Sequence, residues 1–101
     1  PSLACLTCHD GTMGLDVHSA ANLGWDLTDD HPISMTYDPT ADPSLRTVDE
    51  ARALGLRFFN DQGSLTVECG SCHDLHNTSG TPALLRVDNQ GSKLCKGCHI
   101  K

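Results

Sequence analysis

CLTCH at residues 5–9, CGSCH at 69–73 and CKGCH at 95–99 use all six cysteines of the 101-residue chain, and a histidine directly follows each Cys-x-x-Cys pair. Three chemistries use cysteines at this spacing. A disulfide within Cys-x-x-Cys closes a very small loop, stabilises little and gives no reason for the histidine. Zinc could take Cys69, Cys72, Cys95 and Cys98, but residues 73–94 between the pairs slightly exceed ribbon spacing. Zinc would also leave Cys5 and Cys8 without partners unless histidines complete a second site. A covalently attached haem needs the whole pattern. Two thiols one turn apart form thioethers to the two vinyl groups, and the next residue then carries an imidazole under the iron. Histidine is 6 of 101 residues, so three independent pairs would each be followed by one with odds of about 2 in 10,000. The pattern therefore predicts three c-type haems. Cys5, Cys8, Cys69, Cys72, Cys95 and Cys98 are the attachment points, and His9, His73 and His99 are the proximal ligands.

Composition agrees with an interior built from something other than side chains. Only 38% of residues are apolar, and the aromatics are Trp25, Tyr37, Phe58 and Phe59. Nine glycines and five prolines favour loops, and a small Cys-rich chain usually draws stability from disulfides, metals or a cofactor. The fold expected is a small, mostly irregular, loop-rich haem-cored domain with few short α-helices and at most a short β-hairpin. The net charge of −6 and the scattered Lys and Arg argue against nucleic acid and anionic membrane surfaces as partners. No apolar run of about 18 residues is present to span a bilayer. The opening residues carry no charged and apolar leader, so a secretory signal is expected to have been removed.

Three histidines remain once the proximal ligands are assigned: His18, His31 and His76. Three sites and six histidines match bis-histidine ligation throughout. Met13 and Met35 are the competing ligands, but either would leave a histidine idle. If 73–76 is a helical turn, His76 points the same way as His73 and must serve another haem, nearest in sequence that of His99. His31 is assigned to the first haem and His18 to the second, and either could ligate in a neighbouring subunit. Pro32 biases His31 toward extended geometry.

The chain reads as a single three-haem domain, residues 1–101. Residues 1–46 hold the first haem site and the distal-histidine segment, 47–63 a helix, and 64–101 a two-haem unit. TVDE at 47–50 is a capping box. Ala51, Leu54 and Phe58 recur at helical spacing over a helix at 47–59, which NDQG at 60–63 ends. Residues 64–68 and 83–87 read as short strands able to pair. No internal repeat is visible beyond the pentapeptide.

TVECGSCHDLHN, LLRV and KLCKGCH resemble multihaem c-type cytochromes of the doubled-CxxCH, cytochrome c3-like kind, and CLTCHDGT with DLTDDHPISMTYD is similar to segments of such proteins. The resemblance implies an exported electron carrier with close low-spin haems. Some small members resemble subunits of extracellular cytochrome filaments. Three sites depart from the four of cytochrome c3, so that fold is not carried over whole. A bis-histidine iron has no open position, which suits electron transfer and not catalysis. Expected partners are other redox proteins, copies of the same chain in a conductive filament, or extracellular acceptors. The location is periplasmic, cell-surface or extracellular. The alternatives are a soluble periplasmic shuttle, a haem subunit of a redox enzyme and, remotely, a zinc protein.

Overall fold

The computed structural model describes residues 1–10, 23–24 and 26–100; His18, Met13 and Trp25 lie outside them. Four short helices and one small sheet are set among loops. Helix α1 is Ser2–His9, α2 Val48–Ala53, α3 Cys69–Cys72 and α4 Lys93–Cys98. The strands are β1 (Met35–Thr36), β2 (Phe59–Asp61) and β3 (Ser64–Val67), in the antiparallel order β1-β3-β2. This is the loop-rich architecture the composition implies, consistent with a small haem-cored domain.

The capping box at the start of α2 forms as the sequence predicts. The Thr47 hydroxyl accepts from the Glu50 amide at 3.3 Å, and a Glu50 carboxylate oxygen accepts from the Thr47 amide at 2.9 Å. The predicted helix over 47–59 is too long, however. It ends after Ala53 because Gly55 takes φ +102°. Its amide donates to Arg52, and the Leu56 amide donates to Ala51, the paired bonds of a glycine-terminated helix. Phe58 therefore reaches the core from an extended segment, and its helical spacing from Ala51 and Leu54 is coincidental. NDQG makes a hairpin turn instead of a helix stop. Asp61 pairs with Ser64, and Gln62 and Gly63 between them both have positive φ, the twist that suits a two-residue hairpin.

The second predicted strand also fails. Residues 82–84 form a 3-10 turn with Ala83 and Leu84 at φ +56° and +57°, and only Leu85 makes a ladder contact, with His73. Strand β3 is real, but its partners are β1 (Met35 opposite Val67) and β2 (Phe59 opposite Thr66).

The core is small: Tyr37, Ala51, Leu56, Phe58 and Val67, edged by Leu45, Val48, Leu65, Val87, Leu94 and Cys98. The rings of Tyr37 and Phe58 lie 4.4 Å apart, and the Tyr37 hydroxyl donates to the Arg46 carbonyl at 2.8 Å. This cluster holds the motif helices by close approach. A Cβ on Gly97 of CKGCH would lie 2.6 Å from Leu56 Cδ1 and 3.2 Å from its Cγ. One on Gly70 of CGSCH would lie 2.8 Å from the Phe59 ring. Gly97→Ala should therefore destabilise the protein by about 1–3 kcal/mol through overpacking, measured by denaturant melting. An unchanged midpoint would contradict the close contact.

Candidate haem centre

The second and third motifs are built alike. In each, Cys-x-x-Cys forms one helical turn, and the histidine that follows leaves it in extended geometry. His73 has φ −106° and ψ 144°, and His99 has φ −95° and ψ 133°. Each histidine amide still donates back to the first cysteine carbonyl, His73 to Cys69 at 3.0 Å and His99 to Cys95 at 2.9 Å. The first motif differs, since Cys5, Cys8 and His9 all lie within α1 and the His9 carbonyl accepts from Leu23 at 2.8 Å.

Ending a helix at an extended histidine leaves its last carbonyls without intrahelical donors. A Leu-Arg pair supplies them in both C-terminal motifs. Arg86 donates its amide to the Cys72 carbonyl at 2.7 Å and its Nε to the Gly70 carbonyl at 2.7 Å. Arg46 donates its amide to Cys98 at 2.7 Å and its Nε to Lys96 at 2.7 Å. The leucine before each arginine pairs antiparallel with the histidine: Leu85 with His73, and Leu45 with His99. The residue after each histidine donates to the residue before that leucine, Asp74 to Leu84 at 2.7 Å and Ile100 to Ser44 at 2.8 Å. SLRT at 44–47 and LLRV at 84–87 are thus two copies of one clamp, a repeat the sequence reading missed. The recurring Leu-Arg doublet was its only signal.

Two imidazoles have a backbone carbonyl beside Nδ1. His73 Nδ1 lies 2.9 Å from the Ala83 carbonyl and His31 Nδ1 lies 3.0 Å from the Pro32 carbonyl. A carbonyl beside Nδ1 places the proton there and leaves Nε2 as the ligating nitrogen. The rings of His31 and His99 stand in a T-shaped, edge arrangement, with centres 6.4 Å apart and planes at 67°. His31 also lines a cavity of about 220 Å3 with Leu23, Leu27, Asp30, Ile33 and Cys69. His31 thus lies beside His99 of the third motif and shares a cavity with Cys69 of the second. Its position follows from β1, three residues beyond Pro32, which is locked to β3. Ser34 donates to the Val67 carbonyl at 2.7 Å, and Tyr37 reaches the third motif through its hydroxyl, 3.4 Å from the Cys98 carbonyl.

His76 is exposed, and the residues around it are a turn and not the helix on which its same-face argument stood. Asp74 organises that turn. Its carboxylate accepts from the Thr78 hydroxyl at 2.6 Å, the His76 amide at 3.1 Å and the Thr78 amide at 3.3 Å. The Thr78 hydroxyl first, then the His76 amide, hold its pKa down at about 2. Met35, the competing ligand within the described residues, sits on β1 opposite Val67 and is 41% exposed.

All six cysteines are free thiols. The Cys5 and Cys69 thiols lie near one another, although 63 residues separate them in sequence. Burial, with Cys69 beside it, pushes the Cys5 thiol up. Burial pushes Cys72 up as well, with Cys98, Cys95 and Cys69 near enough to add to it. Among the described residues no group of three or more His, Cys, Asp or Glu is arranged to hold a metal ion. Free thiols one turn apart, each pair followed by an imidazole, fit a thioether-bound haem. Residues 63–101 match the family model of the doubled CXXCH motif. The match is consistent with a multihaem c-type cytochrome, and suggests haem binding and electron transfer in preference to enzymatic turnover. The doubled CXXCH unit spans both clamped motifs and Arg86, and Arg46 lies outside it. No curated protein and no solved structure matches the chain. No helix among the described residues is long and apolar enough to cross a membrane.

Removing either clamp leaves a helix-end carbonyl short of its donor. Arg46→Ala and Arg86→Ala should each cost about 1–3 kcal/mol of stability, by similar amounts because the two geometries match. Chemical denaturation of the haem-loaded protein measures this. A cost in one variant and none in the other would show that the clamps are not equivalent.

Proposed function

We propose that this chain is an exported electron-transfer protein holding three covalently attached c-type haems, each between two histidines, as a short relay. The observation that carries the reading is the His31–His99 pair. An imidazole nitrogen bonds a metal at about 2 Å and lies about 1.2 Å from its ring centre, so two histidines on opposite sides of one metal have ring centres about 6 Å apart. The observed 6.4 Å fits that span, and the Pro32 carbonyl leaves Nε2 of His31 as the nitrogen for the bond. When bound, each haem supplies a one-electron iron couple, and a second histidine closes the position an added substrate would need.

The roles of the chain's own residues follow. Cys5 and Cys8, Cys69 and Cys72, and Cys95 and Cys98 anchor the three groups. His9, His73 and His99 ligate from the anchored side. His31 completes the site of His99, and His18 and His76 supply the other two distal ligands, His76 to a haem other than that of His73, because three residues are too short to pass round one porphyrin. Arg46 and Arg86 keep two of the proximal histidines in register. One group per roughly 34 residues forces the three sites together, and the nearness of Cys5 to Cys69 and of Cys72 to Cys95 and Cys98 agrees with that. The close spacing suits electron exchange with other redox proteins, with extracellular acceptors or with copies of this chain in a filament. Attachment through CxxCH takes place after export, so the setting is the periplasm, the cell surface or the space beyond it. Size-exclusion chromatography separates a monomeric shuttle from a polymer.

Intact mass of protein made in a host competent in cytochrome maturation should exceed the chain mass by about 1.8 kDa, three haems. His31→Ala should keep that mass and convert one iron, that of His99, to high spin in the visible and EPR spectra. A chain without added mass would overturn the haem reading, and an unchanged low-spin spectrum in His31→Ala would overturn the axial pair.

A further inference from the structure

Glu68 has no task in the haem reading, yet it is only 3% exposed. Its Oε2 accepts from the Ser2 amide at 3.3 Å, from the Ser2 hydroxyl, and from the Ser34 hydroxyl at 2.9 Å, while Oε1 accepts from the Thr66 hydroxyl at 2.9 Å. Every one of these partners is a donor, which is what an ionised carboxylate needs inside a protein. Burial pushes its pKa up, but the hydroxyls of Ser2, Ser34 and Thr66 outweigh it and hold Glu68 below the usual carboxylate range.

The donors come from three separate parts of the chain: the start of α1, the approach to β1, and β3. Ser2 is itself buried and serves two masters, since its hydroxyl donates to Glu68 and accepts from the Cys69 amide at 2.9 Å. The first turn of the first motif's helix is thereby tied to the residues that open the second. Cys5, one turn further along α1, lies near Cys69. Helix α1 also carries Cys8 and His9, so this tie orients the whole first attachment site.

We propose that Glu68 is a positioning residue: acting through Ser2, it fixes the first haem-bearing helix against the second motif and so sets the coupling between the first and second haems. The inference rests on the three-haem reading. Glu68 lies within the doubled CXXCH unit and caps its first helix, whereas Ser2 and Ser34 lie outside it, so the carboxylate links that unit to the first motif. Charge-assisted bonds hold distance and angle better than apolar contact, which is non-directional.

The test is a redox titration of the haem-loaded protein followed through the haem-methyl NMR signals, which yields the interaction between each pair of haems. Ser2→Ala and Glu68→Ala should lose most of the first–second interaction and keep the second–third interaction, with all irons still low-spin. Ser2→Thr, which retains the hydroxyl, should keep both. A merely stabilising role would lower the melting point without moving the pairwise term. If a folded Ser2→Ala protein with three haems by mass keeps the first–second interaction, the proposal is overturned while the haem reading stands. If the mass shows that fewer haems are attached in the unaltered protein, it is the haem reading that fails. Should Glu68→Ala not fold, the Ser2→Ala and Ser2→Thr pair decides the matter.

Discussion

A helix that must stop at a histidine creates the problem this structure solves. The CxxC turn has to present two thiols on one side and deliver the next residue's imidazole outward. In the second and third motifs the histidine leaves in extended geometry, and the carbonyls behind it lose their helical partners. A glycine cap would satisfy them, as Gly55 does for α2, but the histidine occupies the place where that cap would begin. Backbone and guanidinium donors from a distant Leu-Arg pair take over instead. That choice sends residues 44–47 across to the third motif and 84–87 across to the second, and so routes much of the chain.

The same economy appears in the packing. Among the described residues, five buried apolar side chains make a thin interior. They are spent where they touch the motifs: Leu56 fills the space left by Gly97, and Phe59 beside them covers Gly70. The residues between the cysteines look free in a pattern that specifies only Cys, Cys and His, but here two of them are glycine because Leu56 of the core and the neighbouring Phe59 sit where a Cβ would go. Stability and haem geometry are therefore coupled through the same contacts.

What could be read from the chain depended on how local its cause was. The CxxCH motifs, the capping box at Thr47–Glu50 and strand β3 announce themselves within a few residues. The extent of α2 was misjudged because the apolar periodicity through Phe58 outweighed a single glycine at 55, whose positive φ ends the helix. The 83–87 segment alternates like a strand, but its leucine and arginine are fixed one by one to His73 and Cys72. The placement of His31 was out of reach. Nearness in sequence favours His9, and only the pairing of β1 with β3 carries His31 to His99. The buried Glu68 reads as an ordinary charged residue until Ser2, Ser34 and Thr66 converge on it from three parts of the fold.

The central claim is that His31 and His99 grip one iron from opposite sides, with the β1–β3 pairing and the Arg46 clamp holding them there. A crystal structure of the haem-loaded protein tests this most directly. The account predicts iron bonded to Nε2 of both residues, at about 2 Å on each side, with the porphyrin joined to Cys95 and Cys98. A third-site iron whose far ligand is any other residue, with His31 turned away from it, would contradict the account.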